Sequence, residues 1–439
     1  MQVEERNTPA DNQATFYLLL VTCLVLLYVA AYLGFPAFPG NDLEAPDGWW
    51  SWADQSRYRA AAEAIAAGAP IQESPLGYPL LGAIFSRWMP NHLFFLPNLL
   101  FSVGSGVLFY EIVRRVVSRW EAILVLALVV VLTGLELQVS LLVPWPSIPT
   151  QFLAYAMLVL FLQSPTSPNR VVLLAALDGL VLLFRPEDAL VLGPLVVAAA
   201  LRLDGVRERS KAMALAGAVL ALSVAVGALL GRSVTGYWAL PDLLPFPGAL
   251  SFDRVAVTTY LVFLDGIPIY RSLYPALLER LPWMVLVIPG VLVAVQRLGR
   301  QVWAVVGCGF LGILLFLVNP DTSPAVLYAR GQVHALAWVL PLVGLASYLT
   351  IRFAVRALGW WVTALGILLP LAAAWPLRLQ EVEGGPTDVH ELVLLRIVLW
   401  DDRAVLMVDG RPLFPRRDYA VRRFYPRGTV LRGVMVHLW

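Results

Sequence analysis

Apolar residues in this chain come in long unbroken blocks, not in the alternation of a half-buried strand or the narrow stripe of a surface helix. The first block, 15–35, carries no charge over its whole length. It is long enough to cross a hydrocarbon core of about 30 Å. It is also too long for a signal-peptide core and lacks a basic flank, so it reads as a retained membrane helix. Further blocks follow at 92–113, 121–142, 148–163, 171–184, 189–201, 212–230, 283–295, 303–318, 333–351 and 358–375. The pattern predicts an all-α polytopic membrane protein with about 11 transmembrane helices, some short enough to be tilted or broken. It divides the chain into an N-terminal tail at 1–14, a transmembrane domain at 15–376 and a C-terminal segment at 377–439.

Two long polar excursions interrupt the blocks, at 36–91 and 231–281. In the first, Asp54, Arg57 and Tyr58 stand at i, i+3 and i+4, on one face of a helix. An alanine-rich run follows to Ala67, and Gly68 and Pro70 supply a helix stop. The second excursion is rich in proline and aromatic residues, among them Tyr237, Trp238 and Phe246. Such rings suit sugar faces, and they also populate membrane interfaces for purely physical reasons. The segment 377–439 is different in kind. Its short β-branched runs, with Asp409-Gly410 as a hairpin signal, predict a small β-rich unit.

Composition agrees with a membrane protein. Hydrophobic residues make up 59% of the chain and charged residues 14%, against about 25% charged in soluble domains. A net charge of +2 gives no reason to invoke nucleic acid. Cys23 and Cys308 lie in apolar blocks and form neither a disulfide framework nor a metal spacing. The short-loop arginines orient the chain. Arg114, Arg115, Arg119, Arg170, Arg202, Arg207, Arg209, Arg297, Arg300, Arg352 and Arg356 all fall on one side. By the positive-inside rule that side is cytoplasmic, so the tail at 1–14 is expected in the cytoplasm, both long excursions face outward, and an odd span count makes 377–439 a small extracytoplasmic C-terminal domain.

Asp54 supports two readings, a first-turn or capping carboxylate (with Ser51 as the alternative cap) or a catalytic base. The segments Asp54-Gln55-Ser56-Arg57-Tyr58 and Ser74-Pro75-Leu76-Gly77-Tyr78, placed after the first apolar block, resemble the first external loop of the GT-C integral-membrane glycosyltransferases. The likeness is to the aminoarabinose-transferase and protein-mannosyltransferase-like group, whose loop reads D-E-x-R-Y before a proline-rich turn. This chain has Gln55 in the place of the glutamate and lacks one proline of the turn. Arg185-Pro186-Glu187-Asp188 resembles a second external turn of that family, and Arg330, ahead of Pro341, resembles its late arginine.

The resemblance implies inverting transfer of a sugar from a polyprenyl-phosphate donor to an extracytoplasmic glycan, lipid or protein acceptor. Such chemistry needs a carboxylate for the acceptor proton and positive charge on the leaving phosphate. The implied base is Asp54, or Asp47 in its Asp47-Gly48-Trp49 setting. The implied substrate contacts are Arg57, Tyr58, Tyr78, Arg185, Glu187, Arg330 and His334. No cofactor is implied beyond the lipid-linked sugar, no metal ligand set stands out, and a divalent metal stays open. The implied location is the plasma (inner) membrane, multi-pass, with the active site outside. Each contact also has a plainer reading: an interfacial turn for Arg185–Asp188, a snorkelling anchor for Arg330, a satisfied interface histidine for His334. Two rival classes remain, a lipid or solute transporter or flippase, for which Glu136 inside an apolar block speaks, and a non-catalytic GT-C-like subunit.

Overall fold

The computed structural model describes residues 10–35, 38–39, 47–51, 53–71, 75–163, 167–236, 259, 278, 281–318 and 336–359, with short strand segments between 380 and 437. Most of the 231–281 excursion, the 319–332 loop with Arg330, His334 and all but the first two residues of the apolar block at 358–375 lie outside the described residues. The chain divides into two compact units: Met1–Leu244 with Arg300–Gly309 and Val333–Pro341, and Pro245–Gly299 with Phe310–Gln332 and Leu342–Trp439.

The first unit is helical throughout its described residues. Helix α1 spans Ala10–Leu33, α2 Ala53–Ala66, α3 Gly77–Phe85, α4 Phe95–Val113 and α5 Arg119–Leu142. Then come α6 at Ser147–Phe161, α7 at Pro168–Phe184, α8 at Pro186–Leu201 and α9 at Val206–Thr235. The ends follow sequence signals. Ser118 and Glu121 form a reciprocal capping box that starts α5, and Pro168 and Pro186 sit at the first positions of α7 and α8. Helix α2 closes in a Schellman turn, with Ala69 N–H donating to Ala64 O at 2.9 Å and Gly68 N–H to Ile65 O at 3.0 Å. Gly68 holds φ at 71°, where a side chain would be strained.

Among the described residues, four helices are long and apolar enough to cross a membrane: Gln13–Leu33, Phe95–Val113, Val206–Thr235 and Val339–Leu358. Shorter apolar helices cover Ser147–Phe161, Trp283–Leu298 and Gln301–Leu315. Helices α1 and α9 bury little of their surface. Leu18, Leu19 and Leu26 of α1 and Leu222 and Leu229 of α9 stand exposed. So much uncovered apolar side chain is stable against lipid and unstable against water. The basic cluster Arg207, Arg209 and Lys211 belongs to the first turns of α9 itself, which begins earlier than its apolar block.

In the second unit, a 3-10 turn at Pro282–Leu286 leads into α10, Val287–Leu298. Helices α11, Gln301–Val318, and α12, Val339–Leu358, each pass from the first unit into the second. The C-terminal segment contributes short antiparallel strands. Strands β1 (Gln380–Val382), β2 (Val389–Leu392) and β7 (Met435–His437) form one sheet in the order β1-β2-β7, with His390 opposite His437. Strands β3 (Ile397–Val398) and β6 (Val430–Leu431) pair separately. In the pair β4 (Met407–Val408) and β5 (Arg411–Pro412), Val408 stands opposite Arg411, the positions that flank the Asp409-Gly410 signal.

Candidate functional site

The helices α2 and α3 lie within the 36–91 excursion and pack on each other. Two contacts anchor them to the apolar helices. The Gln55 amide is buried and donates to Pro144 O at 3.1 Å, in the turn between α5 and α6. A glutamate there would set a charged acceptor against a carbonyl, so Gln55 has a physical reason in this chain. At the second contact, the first residue of α3 meets the last turn of α7. A Cβ on Gly77 would lie 2.5 Å from Leu183 O and 3.0 Å from the Phe184 ring. Only glycine permits that approach without displacing backbone.

Gly77 thereby brings α3 to the end of α7, one residue before Arg185. Tyr78 is fully buried, stacks on Phe94 at 4.3 Å and donates its hydroxyl to Asn98 Oδ1 at 3.0 Å. It is a packing residue that positions Tyr58, whose ring meets its edge at 5.5 Å. Tyr58 is half-buried and close enough to Arg185 to interact electrostatically. Two segments more than a hundred residues apart in sequence, the Asp54–Tyr58 stretch and the Arg185–Asp188 turn, thus meet through Tyr58.

Arg185 itself is buried. Its Nη2 lies 2.8 Å from Glu187 Oε1 and its Nη1 3.2 Å from Asp188 Oδ2. The Asp188 pair is not aligned as a hydrogen bond, so Nη1 keeps an unspent donor. The Trp338 indole donates to Asp188, which ties the start of α12 to this turn. Burial alone would lower the Arg185 guanidinium, but Asp188 and Glu187 outweigh it and hold it above its ordinary value. Burial pushes the Asp188 carboxyl above the usual carboxylate range, with Arg185 pulling against it. One cation faces two carboxylates, so the turn is net negative and suits hydroxyl ligands better than phosphate.

Asp54 occupies the first turn of α2. It is half-exposed and lies 3.8 Å from Arg57 Nη1, which is more exposed still. A pair that open contributes little to stability and leaves both groups reachable. Asp47 is exposed and its carbonyl accepts from Trp50 N–H at 3.0 Å. Arg330 and His334 fall outside the described residues, and so do the side chains around Glu136.

Four residues that the pattern of blocks left unmarked belong here. Trp338 and Gln55 are described above. Gln151 of α6 is buried and donates to Ala337 O at 3.0 Å and to the Tyr155 hydroxyl at 3.3 Å. Asp178, inside α7, is buried, and its Oδ1 has no hydrogen-bond partner among the described residues. For Gln151 and Asp178 the available signal was a polar residue standing alone in an apolar block, which is costly in a membrane and therefore marks a role. Beside Gln151, a mostly apolar cavity of about 120 Å³ lies among α1, α4, α5 and α6. Its polar edge is formed by Tyr28, Ser102, Ser105 and Tyr155.

Among the described residues no group of three or more His, Cys, Asp or Glu stands close enough to hold a metal ion. Compared with protein-family models, with curated proteins and with solved structures, the chain has no match.

Proposed function

We propose that this chain is a GT-C-like membrane glycosyltransferase, with about eleven spans and both long excursions on the outer face of the plasma (inner) membrane. It would transfer a sugar with inversion from a polyprenyl-phosphate donor to an extracytoplasmic glycan, lipid or protein acceptor. The observation that carries the reading is the approach of α2 and α3 to the Arg185–Asp188 turn, through Gly77 on Leu183 and Tyr58 beside Arg185. That approach joins the two described segments on which the resemblance rests. The open carboxylate Asp54 stands one helical turn before Tyr58 on the same helix.

The roles divide by charge. Asp54 takes the acceptor proton, with Asp47 as its competitor. Glu187, whose carboxylate is partly exposed, accepts from sugar or acceptor hydroxyls, and Arg185 orients it. The leaving phosphate falls to Arg57, exposed beside Asp54, and, by the resemblance, to Arg330. The apolar cavity beside Gln151 supports a donor carried on a lipid. A metal is not needed for this division of roles.

A transporter or flippase is the second reading, and Asp178 buried inside α7 is what favours it. The experiment compares Asp54→Asn and Asp47→Asn with wild type in nanodiscs, using a panel of polyprenyl-phosphate sugars and following sugar lost from the lipid. Asp54→Asn should slow transfer by about 100-fold or more, with the melting temperature little changed. Loss confined to Asp47→Asn moves the base to Asp47. Full turnover in both variants removes the carboxylate mechanism, and no turnover of any donor by wild type, with Asp178-dependent solute or lipid movement instead, establishes the second reading.

A further inference from the structure

Two of the chain's four histidines fall opposite each other in the C-terminal sheet. In the register of β2 and β7, His390 pairs with His437. In the register of β1 and β2, His390 pairs with Glu381. The sheet order β1-β2-β7 therefore lines up Glu381, His390 and His437 as one row across the strands. Residues paired directly across antiparallel strands share a face, with Cβ atoms about 4.5–5.5 Å apart. The backbone register thus sets two histidine positions side by side, with a carboxylate position next in line.

The strands of this sheet have three, four and three residues. Strands so short give little stability without packing or a staple. The connection from β2 to β7 is long, since β2 ends at Leu392 and β7 begins at Met435. A tie between these two strands closes that whole loop. Two histidines directly opposite repel when protonated, whereas neutral imidazole is the commonest metal ligand. Imidazole suits zinc and copper, while Mg²⁺ and Ca²⁺ take oxygen ligands. A carboxylate beside a ligating histidine is a usual partner for its other ring nitrogen.

We infer that this row binds one divalent ion of the zinc and copper class through His390 and His437, with Glu381 as the carboxylate behind His390. The chain supplies two ligands, fewer than a closed structural zinc centre takes, so water completes the shell and the ion exchanges. Its task is to staple β7 to β2. The site involves neither Asp54 nor the Arg185–Asp188 turn and stands whether or not the proposed activity does.

The test uses the full-length chain in detergent, purified without a histidine tag. Wild type is measured beside His92→Gln/His334→Gln, in which the two histidines of the row are the only ones left. Zn²⁺, Cu²⁺ and Mg²⁺ are titrated by calorimetry, and the Cu²⁺ complex is read by electron paramagnetic resonance. Both proteins should bind one Zn²⁺ or one Cu²⁺ per chain, Cu²⁺ the more tightly, and no Mg²⁺. The copper spectrum should carry hyperfine splitting from two imidazole nitrogens. His390→Gln or His437→Gln should abolish that two-nitrogen pattern, and Glu381→Gln should weaken Zn²⁺ binding by about 10–100-fold. The spectrum is recorded with the row intact, so it decides the matter even where a row variant fails to fold. No saturable Zn²⁺ or Cu²⁺ binding, a copper spectrum without two imidazole nitrogens, or unchanged Zn²⁺ affinity in His390→Gln would overturn the inference.

Discussion

Removing Arg185 alone tests whether the α7–α8 turn is held by a buried ion pair. Its side chain is 9% exposed and that of Asp188 6%, with 3.2 Å between Nη1 and Oδ2. At an effective dielectric of about 20 the pair attracts by about 5 kcal/mol, before desolvation is subtracted. The net value of such a pair is small, yet breaking it leaves a buried uncompensated carboxylate and costs about 3–5 kcal/mol. Arg185→Leu should therefore lower the melting temperature by roughly 5–15 °C, followed by tryptophan fluorescence in detergent. The double variant Arg185→Leu/Asp188→Asn removes both charges but keeps an acceptor for the Trp338 indole, and should recover most of the loss.

The pH dependence has a definite sign. Without Arg185, Asp188 retains the burial that raises it and loses the charge that lowered it. An acid raised above its unfolded value binds more protons folded than unfolded; wild-type Asp188 is itself pushed up to about 6, so the single variant's deficit should grow as pH rises above about 6. The double variant should lack that dependence. A double variant as unstable as the single one, or a single-variant loss under about 1 kcal/mol, would refute the buried-pair reasoning. Under the proposed function, transfer stays low in both variants although stability returns in one.

Two further outcomes follow from packing. Gly77→Ala drives a methyl into Leu183 O, so α3 must shift; a loss of about 1–3 kcal/mol in thermal unfolding is expected, with transfer reduced because Tyr78 on α3, the ring against which Tyr58 packs, moves, and a wild-type melting curve would show that the close approach is not made. Asp178→Ala removes a buried carboxylate with an unpartnered oxygen and should raise stability by about 1–3 kcal/mol; a destabilised variant would mean that Asp178 has a partner, and a stable variant that loses activity would make Asp178 a functional group.

The helical character of the chain was legible because uncharged blocks of spanning length have few stable alternatives in lipid. The stop at Gly68 was legible because caps are written within a few residues; the Ser118–Glu121 box is just as local, yet the pattern of blocks did not single it out. The number of spans is less so. The described residues give four helices that clear the length and apolarity needed and several shorter ones, because blocks such as 171–184 fall short of a full crossing. The meeting of Tyr58 with Arg185 could not be read from either segment. It depends on a missing methyl group at Gly77, which spacing does not reveal. Tyr78 illustrates the converse. Its place in a recognisable turn pointed to substrate, whereas its hydroxyl is spent on Asn98 inside the fold. Gln55 resembled a defect in a motif, and its buried bond to Pro144 O gives the amide a structural task that a carboxylate would not perform.

The central claim is that Asp54 and the Arg185–Asp188 turn face one lipid-linked substrate. The most direct measurement is an electron cryomicroscopy structure of the full-length chain in nanodiscs loaded with polyprenyl phosphate. The account predicts headgroup density on the side of α2 and α3, within reach of Asp54 and Arg57, with the isoprenoid running into the membrane beside α1 and α6. Headgroup density at the opposite ends of the helices, or a loaded sample with no lipid near α2, would contradict it.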